Sequence, residues 1–228
     1  MTHYALPPQP PTCLPILGDA RLFPVRRVFC VGRNYGLHVK EMGGDPKDQP
    51  PLFFTKPADA VVGPGGPTPY PSATRDLHHE IELVAALKAG GEDLSPETAA
   101  DLVFGYAAGV DLTRRDLQAA AKQAGQPWDS GKAFDASAPV GAIRPAAEVA
   151  DLTGAIRLSV NGDLRQEGRL DDMIWSIAEV IAEASKLWRL EPGDLIFTGT
   201  PSGVGPLHRG DRVLGAIEGV GEVAFTVS

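Results

Sequence analysis

LHHEIELVAAL, residues 77–87, decides how the rest of the chain is read. The run reads as a strand and is closed downstream by Gly90-Gly91. Side chains alternate along a strand, so His78, Glu80 and Glu82 share one face, and His79, Ile81 and Leu83 the other. Two carboxylates this close repel, and burying them unpaired is costly. They can face solvent on an edge strand, pair with Arg or Lys, or share a cation. For the pair alone, the solvent-facing edge strand is the commoner outcome.

Asp111 shifts that balance. It lies in AAGVDLT (107–113), a small-residue apolar strand where a carboxylate is hard to place. A Glu-x-Glu strand and an Asp on a second strand together suit an all-oxygen site for Mg²⁺ or Mn²⁺.

Outward from these two strands, the pattern is β-rich. Strands are predicted at Val25–Val31 and in PLFFTKP, the latter buried and stopped by Pro57. Ser95 and Pro96 open a helix predicted to reach about Tyr106, and Thr113 caps a second that ends at Gly125. Asn161-Gly162 between AIRLSV and DLRQEG marks a type I′ hairpin. Helical spacing of apolar residues predicts a helix over about Asp172–Trp188. LIFTGTP is a strand entering a Gly-rich loop, and DRVLGAIEGVGEVAFTV a closing hairpin. Strands outnumber helices without regular βαβ alternation, so the fold class is a β-rich α+β protein with a mixed sheet. Residues 1–24 read as a proline-rich N-terminal arm or edge segment and 25–228 as one domain.

The chain has 228 residues, 43% of them hydrophobic, which suffices for one sizeable core. A formal net charge of −8 argues against nucleic acid or an anionic membrane as partner. It leaves open an anionic small substrate, because a bound metal reverses the field locally. Two cysteines, Cys13 and Cys30, without a CxxC pair, exclude a zinc ribbon or disulfide scaffold and predict a reducing, cytoplasmic setting. With no apolar run long enough to span a bilayer, the expectation is a soluble, unexported protein.

Three further segments carry candidate chemistry. In GRNYGLHVKEMG, His38 and Glu41 are three apart; on a helix they share a face and can form a general-base pair, or only a surface pair. Lys132 in PWDSGKAFD can polarise a carbonyl or neutralise an enolate, or be an ordinary loop lysine. TGTPSGVG (198–205) presents backbone N–H groups and the hydroxyls of Thr198 and Thr200 to an anion, or is simply a tight turn.

Taken in order, VGRNYGLHVKEMG, FFTKPADAVVGPG, LHHEIELVAAL, GVDLTRRDLQ, PWDSGKAFD, VNGDLRQ, MIWSI and PGDLIFTGTPSGVG resemble the fumarylacetoacetate hydrolase family across nearly all of residues 25–228. The resemblance implies a mixed β-sandwich or roll of that family's C-terminal domain type, usually a homodimer, binding Mg²⁺ or Mn²⁺. It implies Glu80, Glu82 and Asp111 as metal ligands, and His38 and Glu41 as a water-activating dyad on a segment that orders over the substrate. Lys132 and Gln118 would contact the reacting carbonyl or position water, and Arg33, Tyr35, Arg115 and Thr200 would hold a 2-oxo acid. Arg33-Asn34 stands where the longer members carry a fourth acid, so three protein carboxylates are expected. The implied activity is hydrolysis of an acylpyruvate C–C bond, with fumarylpyruvate of gentisate-type aromatic degradation foremost. The alternatives are oxaloacetate decarboxylation, isomerisation of an unsaturated 2-hydroxy or 2-oxo acid, and non-catalytic binding of a 2-oxo acid.

Overall fold

The strand predicted from Leu77 is in fact two strands that break at Glu80 and enter different sheets. The computed structural model describes residues 3–35, 47 and 49–228. Its strands in chain order are β1 (Cys13–Ile16), β2 (Asp19–Pro24), β3 (Val28–Gly32), β4 (Leu52–Lys56), β5 (Val61–Val62), β6 (Leu77–His79), β7 (Ile81–Leu87), β8 (Val103–Val110), β9 (Thr113–Arg114), β10 (Ala138–Pro139), β11 (Arg144–Pro145), β12 (Ala155–Val160), β13 (Asp163–Arg169), β14 (Leu195–Phe197), β15 (Gly205–Leu207), β16 (Arg212–Ile217) and β17 (Gly221–Thr226). The α-helices among the described residues are α1 (Pro96–Asp101), α2 (Arg115–Gln123), α3 (Asp129–Lys132) and α4 (Ile177–Leu187).

A mixed sheet runs β11-β8-β7-β14-β3-β4, antiparallel except where β14 lies parallel to β3. A second, antiparallel sheet runs β13-β12-β16-β17, and a small one β15-β6-β9. Both faces of the first sheet are covered. Ile81, Leu83, Ala108 and Val110 pack with Ile156, Leu158, Val213 and Val223 of the second sheet. On the other face, Val84, Ala86, Ala107 and Phe197 pack with Leu14, Ile16 and Phe23. Every residue of β7 is therefore buried, as a strand covered on both sides must be. Ile81 is fully buried against Gly215 of β16, where an added Cβ would fall 2.4 Å from the Ile81 side chain. Burying such a side chain contributes about 2–3 kcal/mol.

The N-terminal segment differs from the predicted arm. Residues 13–24 form the β1–β2 hairpin, which contributes Leu14, Ile16 and Phe23 to the core. Helix α1 stops at Asp101, short of the predicted Tyr106, because Val103–Val110 pairs with β7 instead. Thr113 is not a cap: it sits in β9, α2 begins after Arg114 with no side-chain cap, and Asp116 accepts from Thr74 and Arg75. Helix α4 starts at Ile177, capped by Ser176 and Glu179. The preceding turn that periodicity had placed in this helix is extended. Ile174 donates to the Asn34 carbonyl, and Met173 bridges Tyr35. Strand β4 is an edge strand and only part-buried. The predicted Asn161-Gly162 turn is present, with both residues at positive φ between Val160 and Asp163. Among the described residues, no helix is long and apolar enough to cross a membrane.

Candidate metal centre

Gln166 on β13 sets the break at Glu80. Its Oε1 accepts from the Ile81 backbone N–H at 3.1 Å and from His79 Nδ1 at 2.8 Å. Its Nε2 donates to Thr200 Oγ1 and the Pro201 carbonyl, which fixes the amide's orientation. The Glu80 carbonyl accepts from the Asp111 N–H at 2.8 Å, tying the end of β8 to the break. Glu80, Glu82 and Asp111 are all buried, and one carboxylate oxygen of each lies within 4.8 Å of the others. Both glutamates point the same way, as the period of two requires. Their face, however, is interior, not a wet edge.

Three cations oppose the three acids. Lys132 Nζ lies 2.9 Å from Glu80 Oε2, 2.6 Å from Asp111 Oδ2 and 2.7 Å from Thr113 Oγ1. Lys132 ends the short helix α3 and is 2% exposed, so it is not a surface loop lysine. Arg115 donates to Glu80 Oε1 at 2.5 Å. Lys56, at the end of β4, lies 2.8 Å from Asp111 Oδ1 and also donates to Ser137 Oγ and to the carbonyls of Leu112 and Lys132. Burial alone opposes ionisation of Asp111, but Lys132 and Lys56 outweigh it and hold the carboxyl below its usual range. Among the described residues, Glu82 has no such cation in ion-pair contact. Burial, then repulsion from Asp111 and Glu80, pushes its carboxyl well above the usual range. A divalent cation at the point where the three carboxylates converge would relieve that cost, and the all-oxygen donor set suits a hard ion.

The glycine-rich loop after β14 does meet an anion, and the anion is Glu82. The Gly199 N–H donates to Glu82 Oε2 at 2.7 Å, from a residue with φ of +96°. The Thr198 hydroxyl is spent on the Leu83 carbonyl, leaving Thr200 toward the cavity.

A cavity of about 620 Å³ lies over the acids. Its lining brings together Glu80, Glu82, Lys132, Arg33, Tyr35, Arg115, Gln118 and Thr200, and Asp111 lies just beneath through its contact with Lys132. Tyr35 leaves its buried hydroxyl without a hydrogen-bond partner among the described residues, a polar group available to a ligand. Burial pushes that phenol well above its usual range, so it would act as a donor, not an anion. Arg115 also donates to Gln118 Oε1 at 2.6 Å, so the two form one unit on α2. His38 and Glu41 lie outside the described residues. His78 is not among the converging groups. It accepts from Arg115 Nε at 3.4 Å and donates to Asp76, bracing the arginine that holds Glu80.

Sequence reasoning missed Lys56, Gln166 and Asn34. Lys56 closes an apolar strand immediately before a proline, an unusual place for a lysine, and that was its available signal. Buried Asn34 joins Thr198 to Trp175 by three hydrogen bonds, with no signal in its local sequence.

The profile for the fumarylacetoacetate (FAA) hydrolase C-terminal family matches residues 27–228. The chain belongs to the fumarylacetoacetate hydrolase family. Within that family, a fumarylpyruvate hydrolase from Pseudomonas aeruginosa, crystallised with Mn²⁺ and pyruvate, is 51% identical, with each chain covered over 99% and a TM-score of 0.92. A Ralstonia fumarylpyruvate hydrolase is 43% identical over 77% of this chain and 92% of its own. A mouse mitochondrial oxaloacetate tautomerase is 45% identical over 89% of this chain and 91% of its own. The family's hydrolases and its tautomerases thus both come close to this sequence.

Proposed function

We propose that the chain hydrolyses the C–C bond of an acylpyruvate, fumarylpyruvate foremost, using Mg²⁺ or Mn²⁺. The observation that carries this reading is the convergence of Glu80, Glu82 and Asp111 under a cavity that Lys132 also lines. The 51% identity to an enzyme crystallised with Mn²⁺ and pyruvate supports it. The three carboxylates would hold the ion. A bound dication supplies Lewis acidity toward the oxygens of a 2-oxo acid.

The chain's own groups do the rest. Arg115, Gln118, Thr200, Arg33 and Tyr35 line the cavity where the 2-oxo acid end would sit, and offer it donors. His38, oriented by Glu41, takes a proton from water so that hydroxide attacks the distal ketone. The C–C bond breaks, its electron pair passing to the pyruvyl fragment as an enolate. The Lys132 ammonium, buried and fixed by Thr113 and two carboxylates, faces that charge. Protonation of the enolate carbon gives pyruvate, and the acyl half leaves as fumarate. The same reading includes a cytoplasmic homodimer.

A second reading is keto–enol tautomerisation or decarboxylation of oxaloacetate at the same site, favoured by the mouse tautomerase's 45% identity. These reactions need no attacking water. Fumarylpyruvate and oxaloacetate assayed side by side, with wild type and His38→Ala, separate the two. Hydrolysis should fall with His38→Ala, and oxaloacetate chemistry should be spared. Full hydrolysis by His38→Ala on every acylpyruvate would overturn the dyad.

A further inference from the structure

The cavity changes character from floor to mouth. At the floor lie buried carboxylates and Lys132. Next come the half-buried rings of Phe54 and Trp128, with centroids 5.8 Å apart. Exposed Lys122 also lines the cavity. It stands on α2 in line with Arg115 and Gln118, spaced seven and four residues on, so all three share one helix face. Arg115 and Gln118 are engaged with each other at the floor, Arg115 also with Glu80. Lys122 has no carboxylate in ion-pair contact among the described residues. The other acids that line the cavity are Glu167, paired with Arg157 at 2.7 Å, and Asp172.

We propose that Lys122 binds a second carboxylate at the far end of the substrate's acyl group, and so selects acyl groups that end in an acid. The inference rests on the acylpyruvate reading and deepens it. A chain of six C–C bonds of about 1.5 Å, zigzagging, spans roughly 8 Å. Lys122 stands about 6 Å beyond Gln118 and about 10 Å beyond Arg115 along the helix axis. A seven-carbon dicarboxylate held at the floor by its 2-oxo acid end therefore reaches the Lys122 ammonium. Its apolar middle lies against Phe54 and Trp128.

The test compares two substrates on three proteins: wild type, Lys122→Gln and Lys122→Arg, all with Mn²⁺. Fumarylpyruvate ends in a carboxylate; acetylpyruvate ends in a methyl group. Lys122→Gln should raise KM for fumarylpyruvate about five-fold, the scale of one part-exposed charge pair, with kcat little changed. Lys122→Arg should restore it, and KM for acetylpyruvate should stay within about two-fold in all three proteins. Equal effects on both substrates, or no effect on fumarylpyruvate, would overturn the role of Lys122 while leaving the hydrolase reading in place. Failure of wild type to cleave either substrate would overturn the acylpyruvate reading, and this inference with it.

Discussion

Replacing Asp111 by Asn removes one charge from a point where three buried carboxylates converge, and leaves Lys132 and Lys56 facing a neutral amide. Asp111→Asn and Glu80→Gln should therefore lose Mn²⁺ binding by calorimetry, whereas His38→Ala should keep it. Lys132→Met should lower kcat by about 10²–10³-fold, the usual loss when a preorganised donor to developing charge is removed. Lys56→Met would leave Asp111 with Lys132 as its remaining cation and two buried carbonyls without their donor, and should destabilise the fold by about 3 kcal/mol in urea titration. The acids were legible in the sequence because carboxylates inside apolar strands demand an explanation. Gln166 and Asn34 were not. Their partners lie far along the chain, and an amide in a loop or hairpin gives no local hint of burial.

At the scale of elements, Gly199 is a tightly constrained position of the site. Its φ is +96°, its N–H holds Glu82, and an added Cβ would stand 2.7 Å from the Asn34 Cβ. Gly199→Ala should cost about 1–3 kcal/mol in stability and weaken Mn²⁺ binding through Glu82. Elements closed by local chemistry were readable in advance. Asn161-Gly162 forces its hairpin, and Gly125 ends α2. Boundaries set by distant partners were not. Val103–Val110 leaves the helical pattern because β7 pairs with it, and Met173–Trp175 because Asn34 and Tyr35 do. The break in LHHEIEL belongs to the second kind, since the group that takes the Ile81 N–H comes from a hairpin 85 residues later.

Across the whole molecule, the first sheet needs cover on both faces, and the β1–β2 hairpin supplies part of one. Deleting residues 1–24 should uncover Val84, Ala86 and Phe197 and lower the thermal midpoint, which a dispensable arm would not do. Stability should also depend on pH through His79. Burial holds its imidazole below the ordinary value, the bond to Gln166 opposing this only in part. An unfolded chain takes up that proton near pH 6.5, so folding stability falls as pH drops below about 6.5 toward the folded-state value. Above that window His79 is neutral in both states and contributes no slope. His79→Asn should flatten the acid-side decline in urea midpoints between about pH 7.5 and 5.5 relative to wild type.

Product analysis by NMR tests C–C hydrolysis at the three-carboxylate site most directly. Purified protein stripped with a chelator should leave fumarylpyruvate intact. Added Mn²⁺ or Mg²⁺ should give pyruvate and fumarate in equal amounts, with no recovery in Asp111→Asn. Oxaloacetate converted while fumarylpyruvate stays whole, or cleavage that persists without metal, would contradict the account.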